Sequence, residues 1–490
     1  MKKVTKRLTL IVLMVSALIV GVSFGFLMFD RENYILNRQS DEMVSEMCDP
    51  AIAISTRYIE EIVIPTPCSG PIGITSDSYG NIWFSETKSN KIGVFSIENK
   101  KFREFTIPIE ADSIRMVESW SLIFDQEGML WFTDHSNNAI WRFNPMNEKF
   151  EMFKIPTPGS FPIQLVIDKH GNIWFSEIYG NKIARIDPSR VKAGSSDGFL
   201  EFEPPGKLEL LGGIWIDDHG KVWFAMLTYP LVGKIGIYDP IIDEFNVIDL
   251  PDGISSPVGI VTDQSGRAWI SDHGTSHFVL FDSTNRSFTK FATSLGKTEY
   301  STTLPYWNLL DDDGNIWFNV HQSNTIAKFD IKKWVLVEYD IPSKNPDWGG
   351  ISNTLQFTID PAGNVWFTEW TENKIGILDT SMQLPFSLES STREIKMTID
   401  SSTEFYITLT THEEVTIDLD ASGTFSISGN LVNITAIFES NTIDLDGNVR
   451  VNVVLNADDT LLPGEYTLMV SATGDSITQS IPIRLLVTDF

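Results

Sequence analysis

The heptapeptide GNIWFSE stands at Gly80–Glu86 and again, unchanged, at Gly171–Glu177. Its tryptophan belongs to a longer series: Trp83, Trp131, Trp174, Trp223, Trp269, Trp317 and Trp366, spaced by 48, 43, 49, 46, 48 and 49 residues. The same order recurs around each. A short apolar run such as PIGITSD (Pro71–Asp77) leads to a glycine turn, then NIWFSE, a polar turn, NKIGVFS (Asn90–Ser96) and KFREFTIP (Lys101–Pro108). Four short β-type segments per unit, at a period of about 40–50 residues, are the signature of a propeller blade. The runs lack the 3.6-residue period that a stack of helices needs. A tryptophan at one fixed place per blade reads as packing between neighbouring sheets, so all seven are taken as structural.

Seven tryptophans predict seven blades. The last unit has three segments, Leu355–Asp360, Asn364–Glu369 and Lys374–Asp379, and its fourth is missing after Thr380. The missing piece stands at the other end: RYIEEIVIP (Arg57–Pro65) matches KFREFTIP and EFNVIDLP (Glu244–Pro251). Residues 57–380 are therefore expected to form a closed seven-bladed propeller, with 57–65 completing blade 7 and removing the open edge. Two insertions, Arg190–Leu211 between blades 3 and 4 and MLTYPLVG (Met226–Gly233) in blade 4, decorate the ring, where specificity is often placed.

From Ser381 tryptophan disappears and Thr and Ser rise. Alternating segments such as EFYITLTT, EVTIDLD and GEYTLMVSA assign 381–490 to an immunoglobulin-like β-sandwich. DLDGN (Asp444–Asn448) lacks the rest of a calcium loop and reads as a β-turn. The fold class is all-β, a propeller plus a sandwich, preceded by one transmembrane helix. That helix is read from Leu8–Phe29, 22 residues without a charge, behind Lys2, Lys3, Lys6 and Arg7. The basic stub stays in the cytoplasm and places the body outside, with 30–56 as a linker. A cleaved signal peptide is the alternative; the length of the run and the lack of an A-x-A-like site favour an uncleaved anchor. The two cysteines, Cys48 and Cys68, either pair around the closing strand or remain free thiols. Sequons at Asn285 and Asn433 suit an external body.

The net charge is 37 − 65 = −28, and −32 without the four basic residues of the stub. Such an acidic body repels phosphate backbones, which excludes nucleic acid as a partner. An extracellular small molecule, a glycan or a protein remains, for a body expected to be monomeric.

Chemistry is expected at the channel mouth. Three residues after each Trp stand Glu86, Asp134, Glu177, Met226, Asp272, Val320 and Glu369; fourteen before those stand Ile72, Trp120, Ile163, Gly212, Val258, Tyr306 and Leu355. Where the acid is Glu, a Lys follows five residues later: Lys91, Lys182 and Lys374. That co-occurrence predicts a local ion pair or turn-holding bonds across the second and third strands. The departures carry more information. Asp134–His135, Asp272–His273 and His321 fall at one equivalent place in blades 2, 5 and 6. They either cluster for metal or acid–base work or make separate surface hydrogen bonds, which the distance between blades 2 and 5 favours. Tyr306, Trp307, Trp120 and Trp370 add aromatic faces suited to a glycan or heterocycle. Weak metal candidates are Asp134, Asp272 and Glu369. No nucleophile elbow, P-loop, dinucleotide fingerprint or H-E-x-x-H occurs.

The units GPIGITSDSYGNIWFSETKSNKIGVFS and NVWFTEWTENKIGIL resemble the blades of streptogramin B (virginiamycin B) lyases, over Arg57–Thr380. The resemblance implies the fold, and a magnesium-assisted elimination that opens a cyclic depsipeptide. It implies a His entering the last blade with a metal-binding Glu two residues before it, a Glu in that blade's W-F-x-E, and a Tyr in the first blade. Here those positions hold Leu355, Asn353, Glu369 and Ile72. Glu369 alone matches, as a catalytic candidate, and Leu355 cannot take a proton. The segment Asp125–Asp134 is more distantly similar to gluconolactonase-type propellers. The residues thus predict a membrane-anchored binding scaffold of lyase-like fold. The alternative is a metal-dependent lyase or hydrolase with Mg2+ or Ca2+, using Asp134, His135, Asp272, His273, His321 and Glu369.

Overall fold

Each repeat tryptophan is tied to an aspartate six residues before it, and that bond shapes every blade. In this computed structural model, Oδ2 of Asp77, Asp125, Asp168, Asp217, Asp263, Asp311 and Asp360 accepts the indole N–H of its own Trp at 2.7–3.0 Å. The other oxygen takes backbone N–H groups across the turn, as Oδ1 of Asp77 does from Tyr79 and Asn81. Between them a glycine turns the chain with φ of 73–86° at Gly80, Gly128, Gly171, Gly220, Gly266, Gly314 and Gly363. A side chain there would be strained, which explains the invariant spacing of Asp, Gly and Trp. One carboxylate therefore fixes a tight turn and an indole orientation together, and joins the first strand of the blade to the second.

The description covers residues 52–489, apart from 109–115, 207–208, 229–231, 295–297, 422–424, 427–433 and 458–460. The apolar run Leu8–Phe29, the linker to 51, Cys48 and the sequon at Asn433 lie outside it. Cys68 carries a disulfide. Among the described residues no helix is long and apolar enough to cross a membrane.

Seven antiparallel four-strand units follow one another, blade 1 being Pro71–Ser76, Ile82–Glu86, Lys91–Ser96 and Lys101–Thr106. Their first strands neighbour one another in a closed circle, the first against the second and the last against the first. The closing strand is Ile59–Val63, paired antiparallel with Lys374–Leu378 so that Glu61 faces Gly376. Between blades the indoles pack as the pattern implies: Trp83 lies against Phe124 and Phe143 of blade 2, and Trp269 against Phe329 of blade 6. The stretch read as an insertion after Arg190 contains the fourth strand of blade 3, Phe199–Phe202, paired with Ile183–Ile186. The sequence hid it because a long turn separates it from its partner.

The C-terminal region forms two further sheets with alternating buried and exposed residues. One holds Phe386–Ser390, Ser402–Thr411, Asn448–Ala457 and Ile434–Phe438; the other holds Ile477–Thr488, Gly464–Gly474, Val415–Asp420 and Thr442–Leu445. The second sheet is continuous with the propeller. Ile477–Ser480 adds antiparallel to the outer strand of blade 6, with Tyr339 opposite Ile477 and Leu336 opposite Ser480. Met469 enters the core shared by blades 5 and 6. Arg57, beside the closing strand, pairs with both Glu413 and Asp475, and the Arg393 guanidinium donates to the carbonyls of Lys333 and Trp334. No sequence signal marks this junction, since the docking strand alternates like its neighbours.

Replacing Asp360 by Ala removes the acceptor of two backbone N–H groups, the Asn364 amide and the Trp366 indole. The loss leaves buried donors bare and is expected to cost about 2–4 kcal/mol, read as a shifted midpoint in urea unfolding.

Candidate functional site

The fold places one side chain in each of six blades at equivalent positions by a repeated backbone bond. In six of the seven blades the residue four after the repeat Trp donates its N–H to the carbonyl of the residue leading into the first strand. The pairs are Thr87 to Gly70, His135 to Glu118, Ile178 to Phe161, His273 to Ser256, His321 to Leu304 and Trp370 to Asn353. Four of the accepting residues hold a left-handed backbone: Gly70 at φ 60°, Phe161 at 58°, Leu304 at 53° and Asn353 at 58°. That conformation is uncommon for bulky residues. The first strand then opens with a bulge, as between Pro71 and Ile74 and between Pro305 and Asn308, a device that re-aims side chains.

Two of the three histidines meet. His273 Nε2 lies 3.2 Å from His321 Nδ1, and His321 Nε2 bonds Oδ1 of Asn353. Blades 5, 6 and 7 each contribute one member of this chain. Beneath it lies Tyr306, its ring 4.5 Å from that of His273. Tyr306 also touches Trp307, and at 6.5 Å it meets Trp120, which reaches across from blade 2. Trp307 approaches blade 4, where Gly213 lacks the Cβ that would stand 3.2 Å from its ring. These three buried aromatics and the paired histidines form one contiguous cluster, the cup. Burial lowers the pKa of His273 to about 3, helped by His321, and lowers that of His321 against the opposing bond from Asn353. Both imidazoles are neutral at physiological pH, although each keeps some solvent contact. They are thus recessed, in contrast to the separate surface residues that the blade distance favoured.

His135 stands apart. It pairs with Glu118 and stacks on Phe161 at 4.1 Å. Trp370 lies beside the cup through its backbone bond to Asn353; its ring receives the Lys88 ammonium at 4.1 Å and the edge of Trp348 at 5.4 Å. Glu118 and Phe161 were not singled out from the sequence, and Asn353 was marked only as the position of a metal-binding Glu in the family resemblance. The constant offset from each Trp could have found them.

The acids lie inside the blades. Asp134 accepts from Asn137 and the Trp141 indole, and Asp272 from Ser256 N–H and the Thr275 hydroxyl. Glu369 is fully buried and neither of its oxygens is hydrogen-bonded. Burial, with the charge of Glu61 beside it, pushes its pKa well up. The metal that the family resemblance implies does not fit: two of the candidate acids are used within their own blades, and burial beside Glu61 disfavours the charged form of the third. Among the described residues no group of three His, Cys, Asp or Glu side chains is placed to hold a metal ion.

The lysines also choose other partners than the sequence suggested. Lys91 bonds Glu104 on the fourth strand and the Thr66 hydroxyl, at 2.8 and 2.7 Å, and not Glu86 directly opposite. Lys182 does the same with Glu201 and Thr157, and Lys374 with Glu61 and Ser343. Each trio ties the loop leading into a blade to that blade's outer strand. Burial therefore dominates the inner glutamates, and with the nearby outer carboxylate it raises Glu86 to about 7 and Glu177 to about 8. In blade 5 the charge is inverted: Lys290 takes the outer position and donates to the Asp252 carbonyl at 2.5 Å.

Residues 54–276 match the model of the Virginiamycin B lyase family. A streptogramin B lyase structure aligns at 24% identity and TM-score 0.55, over 66% of this chain and 97% of its own. A virginiamycin B lyase from Staphylococcus aureus aligns at 22% and 0.54, over 65% and 98%. The extracellular domain of a hybrid two-component system from B. thetaiotaomicron aligns at 15% and 0.50, over 89% of this chain and 60% of its own. No curated protein matches this chain. The likeness establishes a virginiamycin B lyase-like β-propeller. At the positions of the lyase resemblance, Leu355 and Ile72 are buried and aliphatic.

Lys374 and Glu61 are 1% and 0% exposed. Lys374→Met leaves the Glu61 carboxylate uncompensated beside Glu369 and is expected to cost about 3–5 kcal/mol, whereas Lys91→Met, at a partly exposed pair, should cost about 1 kcal/mol. Chemical denaturation of both variants checks the order. Glu177 gives a pH signature. The folded protein holds a proton that the unfolded chain releases near 4.5, so stability falls as pH rises through about 8. Glu177→Gln should flatten the decline of Tm between pH 5 and 9.

Proposed function

We propose that this protein is a binding propeller, anchored in a membrane by Leu8–Phe29 with its body outside the cytoplasm, and that the cup takes an uncharged extracellular ligand. The C-terminal sheets act as an immunoglobulin-like support joined to the ring. The observation that carries this reading is the chain of His273, His321 and Asn353 over Tyr306. It supplies hydrogen bonds and an aromatic face but no carboxylate, and a histidine of pKa about 3 is a weak base at neutral pH. The apolar run behind a basic stub and the disulfide at Cys68 support the external placement. The acidic body favours neutral molecules, glycans or protein surfaces over polyanions.

One structure among the matches is a catalytically inactive virginiamycin B lyase with quinupristin. Quinupristin is therefore the discriminating probe. Incubated with the purified protein and magnesium, it should remain cyclic by mass spectrometry. Accumulation of the ring-opened product at a rate proportional to protein would overturn the binding reading in favour of a lyase.

A further inference from the structure

The bonds of the cup have a direction, and it determines what the ligand must offer. Oδ1 of Asn353 is an acceptor, so the His321 nitrogen bonded to it, Nε2, carries the hydrogen. A neutral His321 then has a bare Nδ1, which accepts from His273 Nε2 at 3.2 Å. A neutral His273 is left with a bare Nδ1. Among the described residues that atom has no hydrogen-bond partner, and the His273 side chain is only partly buried.

We infer that Asn353 is a positioning residue that orders the tautomers of His321 and His273, so that the cup presents His273 Nδ1 as a fixed acceptor for an uncharged donor, a hydroxyl or an amide N–H, held over the Tyr306 ring. This rests on the cup being a binding site, and it names the chemical class that site selects. The selectivity follows from what is absent nearby. Asp272, the carboxylate next in sequence, is fully buried and bonded to Ser256 and Thr275. His135 and Glu118 are paired with each other on blade 2. A ligand that offers acceptors alone would meet a lone pair at His273 and be repelled.

The left-handed backbone of Asn353, φ 58°, makes a clean test possible. Glycine adopts that conformation freely and occupies the equivalent position in blade 1 as Gly70. Asn353→Gly therefore removes the acceptor without straining the chain, while Asn353→Asp keeps an acceptor in place. The readout is solid-state 15N NMR of the full-length protein labelled at histidine, with His273→Gln and His321→Gln to assign the signals. At pH 7, wild type and Asn353→Asp should show His273 and His321 protonated at Nε2. Asn353→Gly should show a mixture of tautomers at both.

Wild-type His273 protonated at Nδ1, or tautomers unchanged in Asn353→Gly, would overturn the role of Asn353. Methyl β-glucoside, an uncharged hydroxyl probe, should move the His273 Nδ1 signal saturably, and the movement should weaken at least tenfold in Asn353→Gly. Ordered tautomers with no response to the glucoside would refute the cup as a hydroxyl-binding site and leave the ordering by Asn353 standing. The two failures are therefore distinguishable.

Discussion

One carboxylate per blade holds this molecule together. The aspartate six residues before each tryptophan closes a glycine turn with one oxygen and anchors an indole with the other. The indole then fills the gap to the next blade, so a local turn becomes an inter-blade contact. Burying an indole without an acceptor would leave its N–H unsatisfied in the core. The turn supplies that acceptor from within the same segment. Each unit thus carries its own bond between its first two strands, and the pairing of Ile59–Val63 with Lys374–Leu378 closes the ring.

The parts visible in the sequence are those repeated at a fixed offset. The tryptophan period predicted the blades, and the truncated last unit predicted the closing strand, because a matching segment stood unclaimed at Arg57–Pro65. The aspartate was visible in every copy but had no assigned partner, since an acceptor and an indole six residues apart meet only after a turn. The Glu–Lys co-occurrence was real, yet the ion pair ran to Glu104, Glu201 and Glu61, which sit on another strand at variable separation. Cross-strand opposition fixed the backbone register and left the ammonium free to bond the carboxylate of the outer strand together with a hydroxyl of the loop leading into the blade.

The candidate site was legible as a set of exceptions and illegible as an arrangement. His273, His321 and Tyr306 were marked by breaking the repeat. Their meeting depends on blades 5, 6 and 7 being neighbours, and on Asn353, a position the family resemblance marked by what it lacks. His135 breaks the repeat in the same way, but its blade places it against Glu118 and Phe161. Equivalent positions on a ring share depth and height; which of them touch is decided by adjacency.

The closing strand has a mechanical consequence. Ile59–Val63 lies antiparallel along Lys374–Leu378 through five paired residues. The chain ahead of Ile59 doubles back on it: Ser55 bridges Glu60, and the Glu61 N–H donates to the Ile54 carbonyl. A pull from that side meets this short return before it reaches the five pairs. Arg57, in the turn of the return, is held by Glu413 and Asp475 of the C-terminal region, which joins blade 6 through Ile477–Ser480. The strand that closes the ring is thus shielded from its own leading chain.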